Sequence, residues 1–341
     1  MSVLVMGMHR SGTSALAGAL AALGLDAGPA EALMPADDGN PEGYFEVTSI
    51  AELDEMILAL LGGRWDIPPR RDEGWSERAD LGPFLEEASC LVSQTFSGDR
   101  FVLKDPRMAL LVPLWRRVLE DVVVVLIVRA PGEVARSMAR RDAMAPLTGL
   151  SLWAAYNRAL LEDLAGMRVH VCTYEDLLAD PRGVLGEVAA SLQSFGQLDA
   201  RGDLDAAAAH ISADLRRSTD LDAAELREPP GEIDELARAL TALRGRHDAF
   251  VAAVPAAGAW EGALIGERRA FLDAQRTIVA QFEAVVADRE ARLSDLEADN
   301  AMLRSQSAEL REEMDAALTA LRALEATRAV RWARALARRG H

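Results

Sequence analysis

The most restrictive feature of the sequence is an uninterrupted run of seven apolar residues, Val122–Val128. A strand with one face in solvent alternates apolar and polar residues, whereas a parallel strand covered by helices on both faces is apolar throughout. The run therefore predicts a central parallel strand. Shorter segments at Val3–Met6, Phe101–Leu103 and Arg168–Cys172 are separated by helical patterns, and together they predict an α/β domain over about residues 1–200.

A loop with two glycines follows the first predicted strand: Gly7-Met8-His9-Arg10-Ser11-Gly12-Thr13-Ser14. A helical pattern begins near Thr13 and ends at Gly24, which suits a C-cap. Such a strand, loop and helix N-terminus present N–H donors and partial positive charge to an oxyanion. The loop therefore predicts an anion site, where Arg10 adds a guanidinium fork and hydroxyls come from Ser11, Thr13 and Ser14.

The loop departs at one position from the phosphate-binding loop of nucleotide hydrolases, G-x-x-x-x-G-K-[ST]. Gly7, Gly12 and Ser14 fit that pattern, but Thr13 stands where the lysine belongs. Because that lysine normally meets the terminal phosphate, its absence favours an oxyanion that carries less charge. The alternative interpretation is a helix entry with incidental glycines.

Composition argues against several classes of protein. A formal net charge of −17 disfavours general nucleic-acid binding. The sequence contains no run of about 18 uncharged apolar residues, so we predict no membrane-spanning helix. Cys90 and Cys172 are the only cysteines and lack metal-ligand spacing, so we expect a reducing compartment and neither a disulfide framework nor a metal. The apolar start carries no basic residue, so we expect no signal peptide and a cytoplasmic protein.

Lys104 is the only lysine in the chain; every other basic side chain apart from histidine is arginine. It follows the second predicted strand, and Arg107 comes three residues later. Because ligands bind at the carboxyl ends of parallel strands, both cations are predicted to lie at the site. A compact ammonium performs tasks that a planar guanidinium cannot, although a lone lysine also arises by chance.

A turn-rich segment, Asn40-Pro41-Glu42-Gly43-Tyr44-Phe45-Glu46, precedes a helix predicted over Thr48–Leu61. Glu46 is a candidate general base, since an attacking hydroxyl must lose its proton. The alternative is that Glu46 only caps the helix that follows. Further on, Ser76 is predicted to cap a helix that reaches towards Phe96.

Arg129 ends the central strand, and Ser137 lies eight residues later in a helix that Pro131 is suited to begin. One interpretation gives both side chains a single phosphate to hold. The other makes Arg129 a strand-end ion pair and Ser137 a surface serine.

Together, these segments resemble the sulfotransferases that use 3′-phosphoadenylyl sulfate (PAPS), especially their bacterial and carbohydrate-directed branches. The similarity covers about residues 1–220. The loop from Gly7 to Ser14 looks like the 5′-phosphosulfate loop of that family, and Arg129 with Ser137 looks like its 3′-phosphate site. Further segments that resemble the family are Asn40–Glu46, Leu103-Lys104-Asp105-Pro106-Arg107 and Thr173-Tyr174-Glu175-Asp176-Leu177.

The resemblance implies a P-loop-like three-layer fold and transfer of a sulfuryl group from PAPS to a hydroxyl, that of a glycan or glycolipid, without a metal. Arg10 and the N–H groups of Ser11 to Ser14 would hold the 5′-phosphosulfate, and Arg129 and Ser137 would bind the 3′-phosphate. Lys104 or Arg107 would balance charge, and Glu46 would activate the acceptor, with His9 and Asp105 as weaker candidates. Many members have a lysine in the first loop, where this chain has Arg10.

Two other functions fit parts of the sequence. A nucleotide-dependent kinase is one, although the loop lacks its lysine and no aspartate ends Val122–Val128 to hold magnesium. A non-catalytic scaffold with a nucleotide-binding domain is the other. Beyond residue 200, a helix is predicted over Ala206–Leu215, and Leu215-Arg216-Arg217-Ser218 would bring cations to the donor or remain solvated.

The end of the chain carries a heptad pattern over about residues 265–327 that predicts a coiled coil and a homo-oligomer. Position a includes Asn300, a residue type that sets register and favours dimers. The alternative is a long helix that folds back on the catalytic domain. The predicted domains are 1–220, a helical connector 221–263, and 264–341, the coil with a basic tail. This tail could contact a glycan enzyme or bind peripherally to the inner membrane face, or its arginines could serve the helix dipole; it comprises Arg328, Arg331, Trp332, Arg334, Arg338 and Arg339.

Overall fold

A computed structural model describes residues 2–37, 40, 43–98, 100–198, 202–211 and 231–338, with the backbone alone at 259 and 260. The predicted cations at 215–218, and Pro41 and Glu42 of the turn-rich segment, lie outside the described residues. The chain divides into two compact units, residues 1–269 and 270–341. The predicted limits at 220 and 263 remain a prediction.

The first unit is built on a five-stranded sheet in the order β2-β1-β3-β4-β5. The first four strands are parallel and β5 pairs antiparallel with β4, which confirms the predicted mostly parallel sheet. The short edge strand was not predicted. The strands are β1 (Ser2–Met6), β2 (Phe101–Lys104), β3 (Val122–Val128), β4 (Arg168–Thr173) and β5 (Gly245–His247).

The helices within the described residues follow the strands as an α/β alternation predicts. Those of the first unit begin and end as follows: α1 (Thr13–Ala22), α2 (Thr48–Leu60), α3 (Gly82–Thr95), α4 (Val112–Val118), α5 (Pro131–Asp142), α6 (Pro146–Asp163), α7 (Tyr174–Ala179), α8 (Pro181–Ser194), α9 (Leu204–Ala209) and α10 (Gly231–Ala242). The last helix, α11 (Ala259–Ala337), begins in the first unit and forms the described part of the second.

The central strand explains the three layers. Successive side chains of β3 point to opposite faces of the sheet: Val124 and Leu126 join a core with α2, α3, α4 and α6, whereas Val123 and Val125 join a core with α1, α7 and α8. Both sets are fully buried, so an apolar residue is needed at every position of the strand.

The predicted helix start at Ser76 is wrong. Residues Trp75–Glu77 and Ala79–Leu81 form two separate 3-10 turns, and α3 begins at Gly82. Pro83 occupies the first turn of α3, where its missing N–H costs no hydrogen bond. A proline therefore marks this helix start, rather than a serine cap.

Candidate functional site

The loop between β1 and α1 lies against the ends of β3 and β4, and its two glycines permit that approach. A Cβ atom at Gly7 would fall 2.5 Å from the carbonyl oxygen of Ile127, and one at Gly12 would overlap the ring of Tyr174. Gly12 also has a left-handed φ of 92° and caps α1 without a side chain. Substitution of either glycine would push the loop off the sheet.

The N-terminus of α1 is the part of the loop best suited to an anion. The first N–H groups of a helix have no partner inside the helix, and the helix dipole gives them partial positive charge. Thr13 and Ser14 occupy the first two helical positions. The N–H of Ser11 differs, because it donates to the carbonyl of Met8 at 3.1 Å.

Arg10 connects this loop to the two residues predicted for a 3′-phosphate. Its Nε donates to the Ser137 Oγ at 2.9 Å, and its carbonyl accepts from the Arg129 Nη1 at 2.9 Å. Burial, followed by the positive charges of Arg141 and Arg129, lowers the pKa of Arg10. The structure therefore brings residues from β1–α1, β3 and α5 into one cationic cluster, which we call the Arg10 cluster: Arg10, Arg129 and Ser137.

Arg129 is held on several sides at the end of β3. Its Nε donates to Glu133 Oε2 at 2.9 Å, its guanidinium lies 4.2 Å from the centroid of the Tyr174 ring, and its carbonyl accepts from Trp153 Nε1 at 3.0 Å. The side chain is only 6% exposed. These contacts fix the guanidinium in orientation, as bidentate recognition of an oxyanion requires. Tyr174 was not predicted as a neighbour, although it directly follows β4.

Lys104 is buried, and its ammonium has three acceptors. The Nζ atom donates to the Ser14 Oγ at 2.9 Å, to the Tyr44 carbonyl at 3.0 Å and to the Glu46 Oε1 at 2.5 Å. An ammonium has three N–H donors, so these bonds account for all of them. The lone lysine thus lies beside the glycine loop and joins α1 to the segment before α2.

Glu46 accepts from cations on both carboxylate oxygens. Besides Lys104, the Nη1 of Arg107 lies 3.3 Å from Oε2. The capping alternative is not observed, because Val47 is the N-cap of α2 and no side chain caps that helix. Burial lowers the pKa of Arg107, but the carboxylates of Asp105 and Glu46 outweigh it and raise the pKa. Both carboxylate oxygens of Glu46 are thus already engaged by cations within the described residues.

Asp105 and Asp54 form a buried pair of carboxyl groups. The Oδ1 of Asp105 accepts from the backbone N–H and from the Nη1 of Arg107, both at 2.9 Å. Asp54 accepts from Trp115 Nε1 at 2.9 Å, and burial followed by the charge of Asp105 raises its pKa well above the ordinary value. Burial raises the pKa of Asp105 as well. Asp105 therefore orders Arg107 from inside the core.

His9 presents a neutral imidazole to the same region. Its ring centroid lies 4.9 Å from that of Trp65 and 5.8 Å from that of Tyr156. Burial lowers its pKa well below the ordinary value, and the positive charges of Arg107, Lys104, Arg141 and Arg10 lower it further. The Nε2 atom is buried without a hydrogen-bond partner among the described residues.

The loop around Trp65 is fastened by residues that sequence reasoning did not place near the site. The Trp65 carbonyl accepts from the hydroxyl of Tyr156 at 2.6 Å. Arg268, in the first turns of α11, donates to Asp66 Oδ2 at 2.6 Å, and Arg269 donates to the Pro68 carbonyl at 2.6 Å. These contacts join positions some 200 apart in sequence, so no local pattern could have predicted them.

The chain was compared with protein families and with solved structures. The model of the sulfotransferase family matches residues 2–194. A sulfotransferase domain from the curacin biosynthetic pathway is 19% identical, covering 70% of this chain and 96% of that one with a TM-score of 0.41. A sulfotransferase domain of the Synechococcus PCC 7002 olefin synthase is 18% identical, covering 79% and 94% with a TM-score of 0.39.

A third solved structure, a sulfotransferase from Mycobacterium tuberculosis H37Rv, is 19% identical and covers 62% of this chain and 71% of that one, with a TM-score of 0.32. No curated protein matches the chain significantly. Within the described ranges, none of the helices combines the length and the apolar content of a membrane span.

Proposed function

We propose that this chain, which belongs to the sulfotransferase family, transfers a sulfuryl group from PAPS to a hydroxyl of a glycan or glycolipid. The family implies PAPS as co-substrate. The observation that carries the proposal is the Arg10 cluster next to the N-terminus of α1, where the Arg10 side chain donates to Ser137 and the Arg10 carbonyl accepts from Arg129. The glycan or glycolipid acceptor rests on the resemblance to the carbohydrate-directed branch alone.

The residues present fit a donor with two anionic groups. Arg10 and the first N–H groups of α1 would hold the 5′-phosphosulfate, with Ser11, Gly12, Thr13 and Ser14 lining it. Arg129 and Ser137 would bind the 3′-phosphate, the group that distinguishes this donor from ATP. The fixed orientation of Arg129 over Tyr174 supports that role, because a preorganised fork loses less entropy on binding.

Sulfuryl transfer is an in-line displacement that depends mainly on positioning and charge stabilisation, as phosphoryl transfer does. The acceptor oxygen forms a bond to sulfur, the bond from sulfur to the 5′-phosphate breaks, and the acceptor proton passes to a base. Arg10 would stabilise the developing negative charge, and Lys104 would contribute through the hydroxyl of Ser14, to which it donates.

Two residues compete for the role of base. Glu46 is the sequence-based candidate, but both of its carboxylate oxygens already accept from cations, which favours a charge-balancing role. His9 is a neutral imidazole whose Nε2 finds no hydrogen-bond partner in the described part of the chain, and a base must be unprotonated at working pH. If His9 is the base, His9→Gln lowers kcat and removes the acidic limb of the kcat/KM profile, whereas Glu46→Gln retains that limb.

Transfer of a radiolabelled group tests the proposal. We expect label to move from PAPS, and not from the γ-phosphate of ATP, to a hydroxyl-bearing glycan in a panel of acceptors. Phosphate transfer from ATP would overturn the proposal in favour of a kinase. Tight binding of PAPS without turnover on any acceptor would indicate a non-catalytic scaffold.

A further inference from the structure

The second unit presents an apolar stripe with nothing to cover it among the described residues. The described part of this unit belongs to α11, which is one continuous helix of 79 residues. Most of the large apolar residues at its a and d positions are between 52% and 68% exposed, which is unfavourable for so long a helix in water; these are Val279, Phe282, Val286, Leu293, Leu296, Leu303, Leu310, Met314, Leu321 and Leu324.

We propose that this stripe binds the same stripe of a second copy of the chain, as a parallel, in-register, two-stranded coiled coil. The proposal is independent of the sulfuryl-transfer chemistry. We infer a second copy for two reasons. Each polar residue of the stripe can face the same residue of the other copy, and the charged residues that flank the stripe can pair with opposite charges there.

The polar core positions select the orientation. In a parallel in-register pair, each a residue faces its own copy, so Asn300 meets Asn300 and Ser307 meets Ser307. In an antiparallel pair, a residues face d residues, and the polar d residues are Gln275 and Arg289. Pairing Asn300 with Arg289 places Ser307 opposite Phe282, and pairing it with Gln275 places Arg289 opposite Val286. Only the parallel pair keeps every polar layer polar.

The charged residues that flank the stripe also favour the parallel pair. In a parallel pair, a g residue lies beside the e residue five positions later in the partner. Arg292 then faces Glu297, and Asp299 faces Arg304, twice each by symmetry. No g–e pair in the heptads from Phe271 to Glu325 brings like charges together. Arg289 faces its own copy at a d position, and the adjacent Glu290 at e offsets that charge.

Engineered cysteines test the orientation. In a Cys90→Ser background, Gln275→Cys and Ala317→Cys place one thiol each at d positions near opposite ends of the stripe. We expect each variant alone to form a disulfide-linked dimer under mild oxidation. The matched controls Thr277→Cys and Thr319→Cys place thiols on the outer f position and should remain uncrosslinked.

A charge swap tests the register. Arg292→Glu should weaken the dimer about fivefold or more, since it replaces two attractive pairs with repulsive ones, and Arg292→Glu with Glu297→Arg should restore it. A two-chain mass by light scattering is expected throughout at micromolar concentration. A monomer, whose stripe is then covered by its own chain, a larger assembly, or crosslinking only between the two different cysteine variants would each overturn the proposal.

Discussion

The two units of this chain distribute charge and apolar surface in opposite ways. Residues 1–269 enclose two apolar layers and bury charged groups as satisfied pairs, such as Lys104 with Glu46 and Arg158 with Glu261. Residues 270–338 expose their apolar side chains and pair their charges only at the surface. The first unit thus covers its apolar side chains itself, whereas the described part of the second leaves its apolar stripe exposed.

The largest effect on stability is expected where a buried charge loses its partner. Lys104→Met leaves the Glu46 carboxylate buried with Arg107 alone, which should cost about 3 kcal/mol or more of the free energy of unfolding. The double variant Lys104→Met with Glu46→Gln removes both charges and should recover part of that loss. Urea unfolding of the single and double variants measures the difference, and an unchanged midpoint for Lys104→Met would contradict the buried network.

Acid should destabilise the first unit through His170. Burial, with the nearby His247, lowers the pKa of His170 to about 4, and its Nδ1 lies 2.8 Å from Ser191 Oγ. A histidine with a lowered pKa stabilises the fold above its unfolded pKa of about 6.5, and the stabilisation is lost as pH falls towards 4. Between pH 7 and pH 4, the chain should lose about 3 kcal/mol more than His170→Gln does. If the free energy of unfolding falls equally with pH in both proteins, His170 is not the cause of the acid destabilisation.

Donor affinity tests the Arg10 cluster. Arg129→Ala removes the guanidinium assigned to the 3′-phosphate and should weaken binding of 3′-phosphoadenosine 5′-phosphate about 100-fold. Arg116→Ala, which removes an exposed arginine from α4, is the control and should leave affinity unchanged. If Arg129→Ala binds as well as the unaltered chain, the 3′-site is elsewhere.

Removal of the second unit should have the smallest effect on the first. A chain that ends at Arg269 keeps the contacts of Arg268 and Arg269 to the Trp65 loop and all of both cores. We expect its thermal midpoint and its affinity for the bisphosphate to stay within error of the full chain. A large drop in either quantity would show that the first unit is incomplete without the helix.

Sequence patterns predicted what depends on neighbouring residues and missed what depends on distant ones. The apolar run of β3 and the glycine loop before α1 were predicted at their observed positions, because burial and helix entry leave local signatures. The three-residue β5 carries no such signature. Lys104 was singled out by its rarity, but its acceptors come from α1 and from the segment before α2, which only the tertiary fold brings together.

Calorimetric titration with 3′-phosphoadenosine 5′-phosphate and with ATP, each with and without magnesium, tests the central claim most directly. The account predicts that the bisphosphate binds about 100-fold more tightly than ATP, because only it engages Arg129 and Ser137, and that magnesium leaves its affinity unchanged. Tighter binding of ATP with magnesium, or no binding of the bisphosphate, would contradict the account.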